Sequence, residues 1–323
     1  MQGEIEGSEG MEKLSKLAVS SWQHTLKTSI CCCGVGLHTG DKITMELHPA
    51  AANTGIVFRR TDVAKPQRDV HARYDNVGST NMCTMLVNAD GVSVSTVEHL
   101  MAALSGCEID NVLVVLNGPE VPIMDGSAEP FVFLIECAGT IELDEPRQAI
   151  QVLHPVMVQD GNSVARLEPA DCFSIEFGID FDSAAIGRQN FNMDVSPNTF
   201  KTDISRARTF GFLHEVEALR NAGLGQGGSL DNVIVVDGDK VMNSDGLRFD
   251  NEFVRHKVLD CIGDMYLAGG PLIGKFCGVR AGHALHHRLL EALFAEDAAW
   301  TTIAMDRRMP LAAWHPEAIA ATA

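Results

Sequence analysis

Hydrophobic and polar positions alternate in several short runs of this chain, and longer apolar stripes with a helical period lie between those runs. Alternation over a few residues predicts half-buried strands, whereas apolar residues three or four apart predict helices packed on one face. The predicted strands are 42–47, 55–58, 111–116, 151–158, 163–167, 173–181 and 233–236. The predicted helices are 96–104, 128–138, 212–221, 251–268 and 284–295. Each half mixes strands with helices rather than alternating them strictly, which favours an α+β fold over a doubly wound α/β fold.

A charged, proline-containing stretch at 142–147 interrupts this pattern and predicts the junction between two domains. The first domain is expected at 23–146 and the second at 147–315. Residues 1–22 are acidic and lack periodicity, so they are expected to form a flexible extension, and 316–323 a C-terminal tail.

Composition and charge narrow the function classes. The chain has 323 residues, of which 46% are hydrophobic and 21% charged, an ordinary globular balance. The net charge of −18 disfavours nucleic acid and anionic membranes as partners. No apolar run approaches the roughly 18 residues of a membrane span, and the acidic start does not resemble a signal peptide, so a cytoplasmic location is expected. Nine cysteines, three of them at 31–33, without a C-x-x-C pair favour reduced thiols.

The helix predicted at 251–268 carries the strongest candidate for chemistry. His256 and Asp260 are four residues apart and therefore share one face, and Asp264 continues the stripe by another turn. An imidazole and a carboxylate at this spacing are ligands that suit Zn²⁺. The same spacing also fits an exposed helical face with a His–Asp contact of about a few tenths of a kcal/mol. A metal site requires a third ligand.

Candidates for that ligand lie at the start of an earlier predicted helix, where Glu98 and His99 are adjacent. A catalytic zinc has three protein ligands and an open position for water, with a carboxylate nearby as general base. His99 as ligand and Glu98 as base would supply both. Ser95 lies three residues before Glu98, and Ser95-x-x-Glu98 matches a capping box at the start of the helix. The local pattern favours this capping role. Both interpretations remain open at this point.

His283 is a candidate general acid, because imidazole titrates near neutrality and a carboxylate such as Asp264 favours its protonated form. The alternative is that His283 only flanks the last helix. His286 and His287, which follow on that helix, are expected to face solvent.

The segment Gly223–Gly228 matches G-x-G-x-x-G in letters. A dinucleotide-binding fingerprint requires a strand before the glycines and a helix after them. Here a predicted helix precedes and a predicted strand follows, so a Rossmann site is excluded and a glycine-rich helix end is favoured.

Several segments together are typical of one family, and they occur in its order. They are Gly34–Gly40, Ser95–Leu100, Pro122–Ser127, Ser205–Phe212 and His256–Asp260. On these residues the chain resembles the UDP-3-O-acyl-N-acetylglucosamine deacetylases, the zinc amidases of bacterial lipid A synthesis. The resemblance covers about 26–312 and outweighs the local preference for a cap and an exposed helical face.

The resemblance implies two similar α+β domains, each a β-sheet layered with two α-helices, with the active site at their interface. It implies the zinc ligands His99, His256 and Asp260. The catalytic roles that it implies are Glu98 as general base, His283 as proton donor, Asp264 as the carboxylate partner of that histidine, and Thr209 as a hydroxyl near the developing oxyanion. The substrate contacts that it implies are Lys257, Phe181 and Arg280 for the sugar-nucleotide, and Phe210 and Phe212 at the entrance for the acyl chain.

The activity implied is zinc-dependent hydrolysis of the 2-N-acetyl group of UDP-3-O-acyl-N-acetylglucosamine, an early step of lipid A biosynthesis. The expected partner is the acylated UDP-sugar; a monomer is expected, with no nucleic acid and at most transient contact with the inner-membrane surface. One rival is a zinc amidohydrolase that acts on another acylated sugar. A second rival is a binding module with a structural zinc, against which Glu98 argues, because a closed structural site leaves no position for a base to serve.

Four details remain open within the resemblance. A diphosphate bound by such an acidic protein needs cationic side chains nearby. The arginines among the candidates could instead only brace their loop. The available cations are Lys257, Arg280, Arg206 and Arg208. Ser163 stands where family members can carry a lysine for the nucleotide, which puts that contact in doubt. Cys83 is placed near the zinc by the family, and a buried structural cysteine is favoured over a fourth ligand. Fe²⁺ could use the same three ligands as Zn²⁺.

Overall fold

The structure is a computed structural model, and it describes residues 21–64 and 66–305. Five long helices lie within this part of the chain: α1 (Glu98–Gly106), α2 (Glu129–Ala138), α3 (Leu213–Asn221), α4 (Glu252–Tyr266) and α5 (His283–Ala295). Shorter helical turns cover Tyr74–Asn76, Pro197–Thr199 and Phe200–Ile204. Every predicted long helix is confirmed to within two residues of its bounds. Within the described ranges, no helix combines the length and apolar content that crossing a bilayer requires.

Strands make up most of the remaining regular structure, and with the helices they confirm the predicted α+β class. The first half contains β1 (Trp22–Leu26), β2 (Ile30–Val35), β3 (Lys42–Pro49), β4 (Ile56–Arg60), β5 (Asp69–His71), β6 (Val77–Ser79), β7 (Met85–Val87), β8 (Ser93–Val94), β9 (Val112–Leu116) and β10 (Thr140–Pro146). The second half contains β11 (Gln148–Val152), β12 (Val156–Asp160), β13 (Ser163–Glu168), β14 (Phe173–Asp180), β15 (Arg188–Asp194), β16 (Phe210–Phe212), β17 (Ile234–Asp237), β18 (Lys240–Val241), β19 (Leu272–Val279) and β20 (Trp300–Ala304).

Each half is built on one larger sheet. In the first half the order is β2-β3-β9-β4-β5, with β9 parallel to β4 and antiparallel to β3. In the second half β19 is the central strand, antiparallel to β13 and parallel to β11 and β14. A small sheet of β16, β17 and β18 adjoins helix α3.

The two halves meet where helix α1 packs against helix α4. Both helices are buried over nearly their whole length, as expected for helices covered by protein on all sides. Gly263 on α4 permits the close approach, because a Cβ there would overlap the carbonyl oxygen of Glu98 and crowd the backbone nitrogen of Ala102. The first turn of α1 therefore lies directly against the middle of α4.

Gly263→Ala is expected to destabilise the protein. In an isolated helix alanine is favoured over glycine by about 1 kcal/mol, so a loss of stability would show that packing overrides propensity. Overpacking of this kind typically costs about 1–3 kcal/mol. The measurement is the free energy of unfolding by denaturant titration. Gly211→Ala is the control, because the added Cβ there meets open space; equal stability of the two variants would contradict the proposed contact.

The structure adds three details to the predicted chain organisation. The stretch at 142–147, where the junction is predicted, is largely a strand, because β10 runs to Pro146 and pairs antiparallel with β1. Its charges are tolerated since this two-stranded ribbon is largely exposed. β1 begins at Trp22, the last residue of the predicted extension. The single strand predicted at 151–158 is wrong, because the run is divided between β11 and β12. The division into two domains stays a prediction, and the rest of the extension and the predicted tail lie outside the described residues.

Candidate active site

Helices α1 and α4 bring together the three side chains predicted to bind metal. His99 lies in the first turn of α1, and His256 and Asp260 lie one turn apart on the facing side of α4. The Nε2 atoms of His99 and His256 are 3.6 and 3.3 Å from Oδ1 of Asp260. All three residues are at most 4% exposed. Two segments far apart in sequence thus meet in one buried cluster.

The donor atoms of this cluster fit a divalent cation. One atom from each of the three side chains lies within 4.8 Å of the others. His256 Nδ1 is 3.0 Å from the Ala207 carbonyl, which accepts a hydrogen bond and so places the ring hydrogen on Nδ1. The lone pair of Nε2 then faces Asp260 Oδ1, a buried oxygen without a hydrogen-bond partner among the described residues. A cation placed between these two buried acceptors would satisfy both, and two imidazoles with a carboxylate suit Zn²⁺ or Fe²⁺.

The protonation states of these ligands also favour metal binding. Burial lowers the pKa of His256 to about 3, so its imidazole is neutral near pH 7. Burial opposes ionisation of Asp260, but His256 and Lys257 together hold its pKa well below the usual value. Lys257 Nζ lies 2.7 Å from Asp260 Oδ2, the carboxylate oxygen that the two imidazoles leave free. A neutral imidazole and an ionised carboxylate are the forms that bind a metal ion.

Glu98 points into the cluster and caps nothing, so the capping-box interpretation is wrong. The N-cap of α1 is Val97, and no side chain hydrogen-bonds to the helix start there. Instead Oε2 of Glu98 accepts a hydrogen bond of 3.1 Å from the backbone N–H of Thr84. Its Oε1 lies 3.8 Å from His283 Nε2. Burial raises the pKa of Glu98, although His283 and His99 act in the opposite direction.

His283 begins helix α5 and is held by a buried carboxylate on α4. Its Nδ1 is 2.7 Å from Asp264 Oδ2, and its Nε2 is directed towards Glu98. Burial disfavours the charged imidazole, but Asp264 outweighs burial and raises the pKa of His283 to about 9. The other oxygen of Asp264 accepts a hydrogen bond of 2.6 Å from Thr84 Oγ1. The predicted pairing of His283 with Asp264 is therefore present.

Two residues of this cluster were not predicted. His286 was expected to face solvent, but it is fully buried, and its Nδ1 lies 2.8 Å from Asp264 Oδ2. The reason is helical geometry, since residues three apart share a face and α5 turns that face to the protein interior. The spacing to His283 was a usable signal for it. Thr84 carried none, because it lies outside every motif. His287 is half-buried and lies 3.4 Å from Glu291.

The aromatic candidates for substrate binding form a group beside the predicted metal ligands. The Phe181 ring lies 5.7 Å from that of Phe210 and 5.9 Å from that of Phe212, measured between centroids. The Phe210 centroid is 6.2 Å from that of His256, and Lys257 Nζ lies 5.6 Å above the Phe210 ring. All three phenylalanines are only partly buried. An apolar surface thus extends from the buried cluster towards the exterior.

The basic candidates divide into exposed and buried side chains. Arg280 is exposed and pairs with Asp180 at 2.6 Å, next to Phe181 in sequence. Arg208 is buried, and its guanidinium bonds to Glu252 and to the loop carbonyl of Gly246. It therefore braces its loop, one of the two roles left open by the sequence.

The remaining candidates have simpler surroundings. The backbone of Thr209, which is half-buried, is fixed by hydrogen bonds to Gly126 and Ile234, both 2.8 Å long. Burial raises the pKa of the Cys83 thiol to about 12, which favours a structural role over metal ligation. Ser163 opens β13 opposite Asp160 and contributes no cation. All nine cysteines lie within the described residues and carry free thiols.

Sequence comparison identifies relatives over nearly all of the described chain. The family model of UDP-3-O-acyl N-acetylglycosamine deacetylase (LpxC) matches residues 23–295. A protein of Teredinibacter turnerae is 51% identical over 286 residues, which cover 88% of this chain and 94% of that protein. Proteins of Aliivibrio fischeri and Idiomarina loihiensis are 48% and 47% identical, each over 91% of this chain and 97% of the relative. All three are named UDP-3-O-acyl-N-acetylglucosamine deacetylase. With the family model spanning most of the chain and such identities over its length, this protein belongs to the UDP-3-O-acyl N-acetylglycosamine deacetylase family.

Proposed function

We propose that this protein hydrolyses the 2-N-acetyl group of UDP-3-O-acyl-N-acetylglucosamine with the help of a zinc ion. The products are acetate and UDP-3-O-acyl-glucosamine, and the reaction is an early step of lipid A biosynthesis. One observation carries the proposal: buried donor atoms of His99, His256 and Asp260 converge on one point, with the Glu98 carboxylate and the His283 imidazole alongside. The names of the relatives support the substrate.

The metal would be held by His99, by Nε2 of His256 and by Asp260. A zinc ion bound there supplies a Lewis acid and lowers the pKa of a coordinated water towards 7. The hydrogen bond from His256 Nδ1 to the Ala207 carbonyl fixes the ring so that Nε2 faces the site. Lys257 balances the negative charge of Asp260 from the side that the imidazoles do not occupy.

Glu98 is proposed to accept the proton of the attacking water. Its Oε2 is occupied by the Thr84 N–H, which leaves Oε1 free to take up a proton inside the cluster. Burial makes the carboxylate a stronger base than an exposed glutamate, because it raises the pKa of Glu98. Positioned bases of this kind contribute about 10²–10⁴-fold to the rate.

His283 is proposed to protonate the leaving amine. With Nδ1 committed to Asp264, the transferable proton lies on Nε2, on the side that faces Glu98. An amide nitrogen leaves readily only when it is protonated, so a cationic imidazole at this position serves the second half of the reaction. Thr209 is proposed to donate its hydroxyl to the developing oxyanion, where one good donor contributes about 3 kcal/mol.

Recognition of the substrate is assigned to the surface next to the cluster. Phe210 and Phe212 would contact the 3-O-acyl chain, and Phe181 would contact the sugar-nucleotide. The exposed Arg280 and the partly exposed Lys257 would serve the negative charges of the nucleotide. Arg208 is not proposed for this role, because its donors are already used. The cytoplasmic location and the monomeric state stay predictions.

The proposed function is tested by acetate release from two substrates. With UDP-3-O-acyl-N-acetylglucosamine we expect turnover that chelation abolishes and zinc restores. With UDP-N-acetylglucosamine, which lacks the acyl chain, we expect kcat/KM to be lower by at least about tenfold, since each buried CH₂ contributes about 0.8 kcal/mol. Equal rates on both substrates would favour a less selective amidohydrolase. Absence of acetate release by zinc-loaded protein would overturn the proposal.

A further inference from the structure

His286 is a buried polar residue that the reaction proposed above does not use. It is fully buried on α5, one turn after His283. Its ring meets those of Phe177 and Phe276 edge to face, at centroid distances of 6.0 and 5.4 Å. Burying a polar group among aromatic rings is unfavourable unless the group makes a hydrogen bond. Within the described part of the chain, the hydrogen bond that compensates it is with Asp264 Oδ2.

The hydrogen bonds fix the direction of donation. Burial opposes ionisation of Asp264, but His283 and His286 hold its pKa below the usual value, so the carboxylate is ionised and only accepts. His286 must then donate from Nδ1. Its Nε2 is buried and has no hydrogen-bond partner among the residues described, so a second ring hydrogen there would be unsatisfied. The tautomer with hydrogen on Nδ1 alone fits this environment.

The Asp264 carboxylate is thereby held by three donors. Oδ2 accepts from His283 Nδ1 at 2.7 Å and from His286 Nδ1 at 2.8 Å, and Oδ1 accepts from Thr84 Oγ1 at 2.6 Å. Without His286 the carboxylate keeps Thr84 but loses one of two donors at the oxygen that orients His283. Rotation about the last side-chain bond of Asp264 then becomes easier, and the direction of His283 Nε2 is less well defined.

We propose that His286 is a positioning residue, which acts through Asp264 to aim Nε2 of His283 at the leaving nitrogen. This inference rests on the proposed function, since it assigns His286 a part in that reaction. It differs from a packing role, because it requires a hydrogen at the position of Nδ1 and none at Nε2. An apolar side chain of similar size does not meet that requirement, and neither does a side chain whose donor lies at a different position.

Two amide variants separate these requirements. In His286→Asn the amide nitrogen takes the position of Nδ1, whereas in His286→Gln it reaches the position of Nε2 between the phenylalanine rings. We expect His286→Asn to retain kcat to within about threefold and His286→Gln to lose about tenfold to 100-fold, the effect typical of outer hydrogen-bond partners. The loss should fall on kcat with KM changed little, because His286 does not touch the substrate. Both variants are measured at matched zinc content.

The same variants give a readout that does not depend on activity. In proton NMR spectra of the metal-free protein, the Nδ1–H resonance of His283 should be kept in His286→Asn and shifted or broadened in His286→Gln. His287→Asn and His287→Gln are the matched controls, because His287 lies beside Glu291 on the same helix and makes no described contact with Asp264. Equal losses in both His286 variants, or no loss in either, would overturn the inference. If wild-type protein releases no acetate, the proposed function fails first, and the NMR comparison still tests the hydrogen bond.

Discussion

Glu98→Gln is expected to lower kcat by about 10²–10⁴-fold while the protein keeps its metal. The variant preserves side-chain volume and an oxygen that can accept the Thr84 N–H, but it cannot take up a proton. Glu98 is also not among the three side chains whose donor atoms converge. The measurements are kcat from acetate release and metal content by elemental analysis, made on the same preparation.

Ser95→Ala is the matched control for Glu98. If Glu98 served a capping box, removing the Ser95 hydroxyl would cost about 1 kcal/mol of stability and leave the chemistry intact. Since no side-chain cap is present at α1, we expect Ser95→Ala to keep both stability and kcat. If Glu98→Gln had a normal kcat, Glu98 would not be the general base. If Glu98→Gln lost its metal, Glu98 would be a metal ligand instead.

His256→Ala is expected to lose the metal and, with it, the activity. Removing one of three protein ligands should weaken metal binding by more than about 100-fold, beyond the 10–100-fold typical of outer-shell changes. A metal ion that binds only the folded state stabilises that state, so added zinc should raise the Tm of the wild-type protein. In His256→Ala this rise should disappear. Elemental analysis after gel filtration and thermal unfolding with and without zinc measure the two effects.

His71→Ala is the control for the loss of an imidazole. His71 is exposed on the edge strand β5 and does not belong to the clustered donors found within the described residues. It should bind zinc and respond to it like the wild type. If His256→Ala bound zinc as tightly as His71→Ala, His256 would not be a ligand. Together with Glu98→Gln, this pair separates loss of the metal from loss of the base.

The interface between α1 and α4 explains how the proposed metal ligands and the proposed acid–base residues stay separate although they are adjacent. Glu98 and His99 follow one another at the start of α1, so their side chains leave the helix about 100° apart. His99 is directed to Asp260 on α4, whereas Glu98 is directed to Thr84 and His283. One helical turn thus supplies the proposed ligand and the proposed base to neighbouring parts of the same cluster.

By itself the sequence determined the long helices, fewer than half of the strands in the described residues and the α+β class, because these follow from hydrophobic period and turn residues within a few positions. The four-residue spacing of His256 and Asp260 likewise placed both on one helical face. The order of the family motifs supplied the remaining candidate site residues. Each of these signals is local or is a direct match of letters.

Only the tertiary structure decided which faces meet. Nothing near Thr84 in sequence reveals its contact with a carboxylate on α4. The spacing of His286 from His283 places both on one helical face but does not show which carboxylate they share, since these contacts join segments that folding brings together. The absence of a side chain at Gly263 acquires its meaning from the backbone of α1 opposite it. The charged stretch at 142–147 became a strand because β1 offered it hydrogen bonds. A local pattern reports how an element divides into faces, whereas the partner that covers each face is set by packing across the whole chain.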